Sequence, residues 1–240
     1  MPHDEQQGAR RLDAARILTT VERARQRIEE RFPQAGLVRV ARDLAAVAQG
    51  AGDTAERLGR PYLLLRVAMV GAVIGLGVVL APVLRLVDFE KTAADNIYTA
   101  VQGIDATLQI VGVTGAVLFF LITLEDRLKR RRALRALHEL RSVIHVIDMH
   151  QLTKDPSVGD EPEAVATASS PERAMTTFEL KRYLDYCSEL LSLSSKVAAL
   201  YAQSLPDDVV TDAVSDLERL TTNLSQKIWQ KIALLHEEKR

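Results

Sequence analysis

Two stretches of this chain carry no charged side chain: eighteen residues from Val67 to Leu84 and nineteen from Ala106 to Leu124. A helix rises about 1.5 Å per residue, so each run covers roughly 27 to 29 Å, close to the hydrocarbon thickness of a bilayer. The first run holds ten Leu, Ile or Val residues, and the second holds eleven Leu, Ile, Val or Phe. At about −0.3 to −0.6 kcal/mol per side chain, either segment gains roughly 3 to 6 kcal/mol on insertion. Gly71, Gly75, Gly77 and Pro82 in the first, with Gln109, Thr114 and Thr123 in the second, reduce that gain without reversing it. A core helix of a soluble bundle would usually show charge on one of its faces over such a length. The runs therefore predict two membrane-spanning helices, and their place behind a charged helical region argues against a secretory leader.

Charge orients them. Between the runs stand Asp88, Glu90, Lys91, Asp95 and Asp105, whereas the second run is followed by Arg127, Lys129, Arg130, Arg131, Arg132 and Arg135. Lys and Arg in short flanking segments stay on the cytoplasmic side, which places both termini in the cytoplasm of a multi-pass protein of the plasma (inner) membrane. Arg66 at the head of the first run can snorkel its guanidinium to the headgroups. The run Arg127, Lys129, Arg130, Arg131 and Arg132 would also meet anionic lipid, worth about 1 kcal/mol per side chain. It has no interleaved aromatics, so nucleic acid is not an expected partner.

The net charge of −1 averages two different environments, apolar spans and strongly polar helical segments. A single cysteine, Cys187, excludes an intramolecular disulfide framework and a cysteine-based zinc cluster. Aromatic residues make up 5% of the chain, which favours helices over sheets.

The periodicities predict an all-α chain. Residues 1–60 read as cytoplasmic amphipathic helices. The first is expected from Gln7 to Arg31 on the stripe Leu12, Ala15, Ile17, Leu18, Val21 and Ile28. After Phe32-Pro33 a second is expected through Leu37, Val40, Leu44 and Val47, ending before Gly50 and Gly52. Residues 61–87 form the first membrane helix, with Pro61 placed in its first turn. Residues 88–105 form a short acidic extracytoplasmic segment, although Ile97, Val101, Ile104 and Leu108 keep a helical period, so the second helix is expected to begin near Thr92. Residues 106–124 span, and 125–153 continue as a basic stalk on Leu137, Leu140, Ile144 and Ile147. Unbroken to Leu152, such a rod approaches ~90 Å.

Residues 154–175, with Asp155-Pro156, Gly159, Pro162 and Pro171, read as a flexible linker. Residues 176–240 read as a cytoplasmic helical hairpin of coiled-coil character. Thr176 and Glu179 form a capping box. Leu180, Tyr183, Cys187, Leu190, Ser194, Val197 and Tyr201 repeat every seven residues, and Pro206 with Asp207 opens a last helix on Val210, Ala213, Leu217, Leu220, Leu224 and Ile228.

Four features are candidate sites. Gly71 and Gly75 form GxxxG, and Gly112 with Gly115 thins the second span; small residues let helix backbones approach in lipid, within the hairpin or between copies. On the stalk, His138, Arg141, His145 and Asp148 share a face, followed by Met149 and His150. His145, Asp148 and His150 are donor types that bind a divalent metal, and the histidines also suit a pH-sensitive switch. Arg141 opposes a cation there, and a solvated polar face weighs more. Thr107, Gln109, Thr114 and Thr123 are suited to lining a water path or bonding between helices. Cys187, Tyr183 and Tyr201 read as packed core groups.

No GxGxxG, Walker A, HExxH, nucleophile elbow or paired-carboxylate motif stands in suitable context, so neither catalysis nor an organic cofactor is expected. The expectation is a homo-oligomeric integral membrane hairpin whose cytoplasmic helical region senses a small ligand or protein and acts on the spans, as a gated pore or membrane effector. Its alternative is a membrane-anchored scaffold that recruits cytoplasmic partners. In order of elements, though in no residue motif, the chain is similar to two-span bacterial effectors with cytoplasmic helical sensor regions.

Overall fold

The computed structural model describes residues 11–86, 97–154 and 175–237, and among these every regular element is an α-helix. We number them α1 (Ala14–Arg31), α2 (Gly36–Gly59), α3 (Leu63–Leu86), α4 (Ile97–Leu152), α5 (Thr177–Ser204) and α6 (Asp208–Glu237). The linker expected over 154–175, the acidic stretch 88–96 and the expected helix start near Thr92 lie outside the described residues, apart from Lys154 and Met175. The chain divides into two compact units, one of residues 1–59 with 130–240 and one of residues 60–129.

The first unit is a bundle with a continuous core. Polar caps set its element ends. Asp13 accepts hydrogen bonds from Ala15 N at 2.9 Å and Arg16 N at 3.3 Å, so α1 begins at Ala14 rather than near Gln7. Leu12 falls before the helix, where the Gln203 side-chain amide receives its N–H at 2.8 Å and donates to its carbonyl at 3.1 Å. The expected capping box is present: Thr176 Oγ1 accepts from Glu179 N at 3.3 Å, and Glu179 accepts from Thr176 N at 2.8 Å. Between α5 and α6, Pro206 cannot continue the helix, and Asp207 starts the next by accepting from Val210 N at 3.2 Å.

Helix α2 does not end before Gly50 and Gly52 but runs on to Gly59. A glycine inside a helix costs about 1 kcal/mol relative to alanine. Here the apolar stripe continues past both glycines through buried Ala48, Ala51, Ala55 and Leu58, and that burial carries the helix onward.

Each stripe faces the same interior. Ile17, Val21, Ala24 and Ile28 of α1 meet Leu37, Val40, Ala41 and Leu44 of α2, and both helices pack on α5 as well as on each other. Helix α4 adds Ala133, Leu137, Leu140, Ile144 and Ile147, all buried. Helices α5 and α6 pair closely through the expected stripes, with Tyr183, Cys187, Leu190, Val197 and Tyr201 facing Val210, Leu217, Leu224 and Ile228 in one cluster. Phe32, which ends α1, places its ring edge-on to Tyr183 at 5.6 Å and Tyr186 at 6.2 Å. That cluster ties the first helix to the fifth.

The second unit contains α3 and the first part of α4. The first turn of α3 is closed by Arg66 N donating to Tyr62 O at 3.1 Å, so Tyr62 caps the helix. Pro61 therefore lies outside the helix and not in its first turn.

Candidate functional site

Two helical stretches, Gly36–Val78 and Val101–Leu152, are long and apolar enough to cross a membrane, and the most apolar eighteen-residue window of each is 0% buried. Their large side chains stand open: Leu64 is 83% exposed, Leu108 66%, Val113 66% and Phe119 72%. Soluble proteins rarely leave so continuous an apolar surface uncovered, because each exposed Å² costs about 25 cal/mol. A lipid surrounding would remove that cost.

A polar clasp joins the two helices at one end. Glu125 of α4 accepts from the backbone N–H of Tyr62 at 3.2 Å and pairs with Lys129 one turn on at 2.8 Å. The Lys129 ammonium also sits 5.6 Å from the centre of the Tyr62 ring. The Glu125 and Lys129 side chains are only 16% and 12% exposed, so this pair is poorly hydrated and short of competing partners.

Two polar groups of the second span, Gln109 and Thr123, bond within their own helix. Gln109 Nε2 donates to Asp105 Oδ2 at 2.9 Å, and Thr123 Oγ1 to Phe119 O at 2.7 Å. The Thr107 side chain lies outside the described set. Among the described residues nothing engages Gly71, Gly75, Gly112 or Gly115: a methyl group added at any of them would meet no described atom within 4 Å.

The basic run divides. Lys129 belongs to the clasp, and Arg130 bonds to Asp207 through Nε at 2.8 Å and its terminal nitrogen at 2.7 Å. Arg127, Arg131, Arg132 and Arg135 are exposed. A run that reads as uniform in sequence thus places Lys129 and Arg130 in different polar contacts.

The stalk face does not converge. His138, Arg141 and His145 are exposed, and Asp148 is half-buried, accepting from Gln151 Nε2 at 2.7 Å. His150 turns away into the bundle, where its Nδ1 lies 3.5 Å from Tyr183 Oη and its ring fills the space a side chain at Gly36 would need. Burial first, and the Lys154 charge second, hold the His150 imidazole below its ordinary pKa. Among the described residues no three His, Cys, Asp or Glu side chains group as a cation site.

Around His150 lies a polar knot that sequence periodicity does not announce. Gln151 is 1% exposed; its main-chain carbonyl accepts from Lys231 Nζ at 2.8 Å, while its side-chain oxygen has no partner among the described residues. The Lys154 ammonium stands 5.4 Å from the Tyr183 ring centre. Nearby Cys187 is fully buried, and that burial pushes its thiol up to about 12. Such a thiol is protonated and inert at neutral pH, which suits packing and not nucleophilic chemistry. Burial likewise raises Tyr201 to about 12.

The residues missed in sequence are those whose partners are remote. Asp207 was visible as a cap beside Pro206, but its second role, receiving Arg130 from seventy-seven positions away, had no local signal. Gly36 had none either, since nothing in its neighbourhood indicates that an imidazole would lie against it.

The chain matches no protein-family model, no curated protein and no solved structure, so the functional reading rests on the geometry alone.

Proposed function

We propose that this is an integral membrane protein of two spans, α3 and the first half of α4, whose bundle transmits a binding event to the spans as a homo-oligomeric gated pore or membrane effector. One observation carries the reading: α4 runs without a break from uncovered apolar residues such as Val113 and Phe119 to core residues Leu137, Leu140, Ile144 and Ile147. A displacement of the bundle end of a continuous helix is passed along its axis, because the backbone hydrogen-bond ladder resists local compression. In this reading the exposed arginines after the second span face anionic headgroups, and both termini lie in the cytoplasm of the inner membrane. Two helices cannot enclose a pore. Conduction thus requires further copies, and the faces at Gly71, Gly75, Gly112 and Gly115, against which no described residue packs, are where helices of neighbouring copies can approach.

The test is dye and ion flux from liposomes containing the purified full chain, compared with a Gly71→Leu/Gly75→Leu variant. The account expects flux that the variant reduces several-fold. Absence of flux in every condition, with the protein fully inserted, rejects the pore.

The competing reading is a membrane-anchored scaffold. It is favoured by the bundle having its own continuous core, with apolar side chains such as Met149 (66% exposed), Phe178 (60%) and Trp229 (60%) left on its surface. Partner capture that persists after removal of the spans supports it.

A further inference from the structure

The apolar stripe that docks α4 into the bundle weakens toward its first turn. Leu137, Leu140, Ile144 and Ile147 are buried, but the stripe begins with Ala133, a single methyl, beside a half-buried Leu134. One turn earlier, Asp126, Arg127 and Leu128 are exposed. Beside Ala133 stands a polar contact of α4 with the α5–α6 corner: the two-bond pair of Arg130 with Asp207 Oδ2, at 2.7 and 2.8 Å. Asp207 is fixed from the other side as well. Its Oδ1 caps α6 by accepting from Val210 N at 3.2 Å, and its own N–H donates to Leu205 O at 2.9 Å across the Pro206 corner. The Asp207 side chain is 11% exposed and that of Arg130 41%, so the anchor is rigid and partly dry while the arm is reachable from solvent.

We infer that Arg130 and Asp207 form a latch that holds the first bundle turn of α4 against the α5–α6 corner, and that opening it undocks this turn while the bundle stays folded. The difference in packing on the two sides of the latch supports this. Below it, four large buried aliphatic side chains retain α4; beside the latch the apolar contribution is smaller, from Ala133, half-buried Leu134 and Ala136. Opening the pair leaves this turn with little buried apolar area to hold it, whereas the turns below keep theirs. The inference does not depend on whether the spans conduct.

Thiol accessibility tests it in the full-length protein in detergent. The reporter is Ala133→Cys, at a position 0% exposed, and native Cys187, also 0% exposed, is the internal control for bundle integrity. Arg130→Gln removes the pair and leaves the cap. Asp207→Asn removes the charge but retains a capping oxygen. Maleimide labelling of the introduced thiol should rise about tenfold in either variant, the equivalent of roughly 1.4 kcal/mol, with Cys187 unlabelled throughout. Arg130→Lys should restore part of the protection. An unchanged rate in both variants overturns the latch, and so does an equal rise at Cys187, which would mark the pair as general support for the fold. If Ala133→Cys disturbs packing, Leu134→Cys, half-buried in the same turn, takes its place: its labelling should rise in both variants, and an unchanged rate there likewise overturns the latch.

Discussion

The backbone N–H of Tyr62 donates to the carboxylate of Glu125 at 3.2 Å, joining the cap of α3 to the middle of α4 across sixty-three positions of chain. The same carboxylate pairs with Lys129 at 2.8 Å. Glu125→Gln keeps an acceptor oxygen but leaves Lys129 without its partner in a site where that side chain is 12% exposed. We expect a loss of about 1 to 2 kcal/mol. In detergent this lowers the thermal midpoint by roughly 3 to 6 °C, and Glu125→Ala should lower it further.

A methyl at Gly36 would overlap the imidazole of His150. Gly36→Ala should therefore destabilise the bundle by about 1 to 3 kcal/mol despite the higher helix propensity of alanine. His150→Ala removes the clashing ring, so Gly36→Ala should cost much less in that background. A double-mutant cycle of thermal midpoints measures the coupling; simple additivity would show that the two side chains do not meet.

Acid should loosen the same contact. His150 lies against the Tyr183 hydroxyl, and its burial and the Lys154 ammonium both disfavour an imidazolium. Its native pKa lies below its unfolded value of about 6.5, so the unfolded chain binds the proton more readily. Stability from this group is present in full above the unfolded value and is lost as pH falls below it, until the depressed native value is reached. Comparing thermal midpoints between about pH 7.5 and pH 5.5, the wild type should lose more than His150→Gln does. Parallel curves for the two proteins would assign the pH dependence elsewhere.

With its thiol pushed up to about 12 and fully buried, Cys187 should resist alkylation at about pH 8 in the folded protein and react at once in denaturant. Rapid labelling of the native chain, counted by mass spectrometry, would contradict its place in the core.

What could be read from the sequence was whatever leaves a periodic trace. The Ala106–Leu124 run and the spacing of Leu137, Leu140, Ile144 and Ile147 indicated a single helix from span to stalk, and α4 is continuous from Ile97 to Leu152. The stripe from Tyr183 to Tyr201 is buried as its spacing requires, with Leu180 half-buried at its start. Boundaries were less legible because they are decided by burial elsewhere: Ala51, Ala55 and Leu58 extend α2 past two glycines through contacts that no local rule contains. The candidate site was least legible. His138, His145, Asp148 and His150 look equivalent along one helix, but the approach of α2 and α5 takes His150 inward and leaves His138 and His145 in solvent. Arg130 is one of several arginines in sequence and the partner of Asp207 in space.

The central claim is that lipid covers α3 and the first half of α4. Alkaline carbonate extraction of membranes containing the full chain tests it most directly. The account predicts that the protein remains in the pellet and is released only by detergent. A chain that washes into the supernatant and stays monodisperse there without detergent would contradict it.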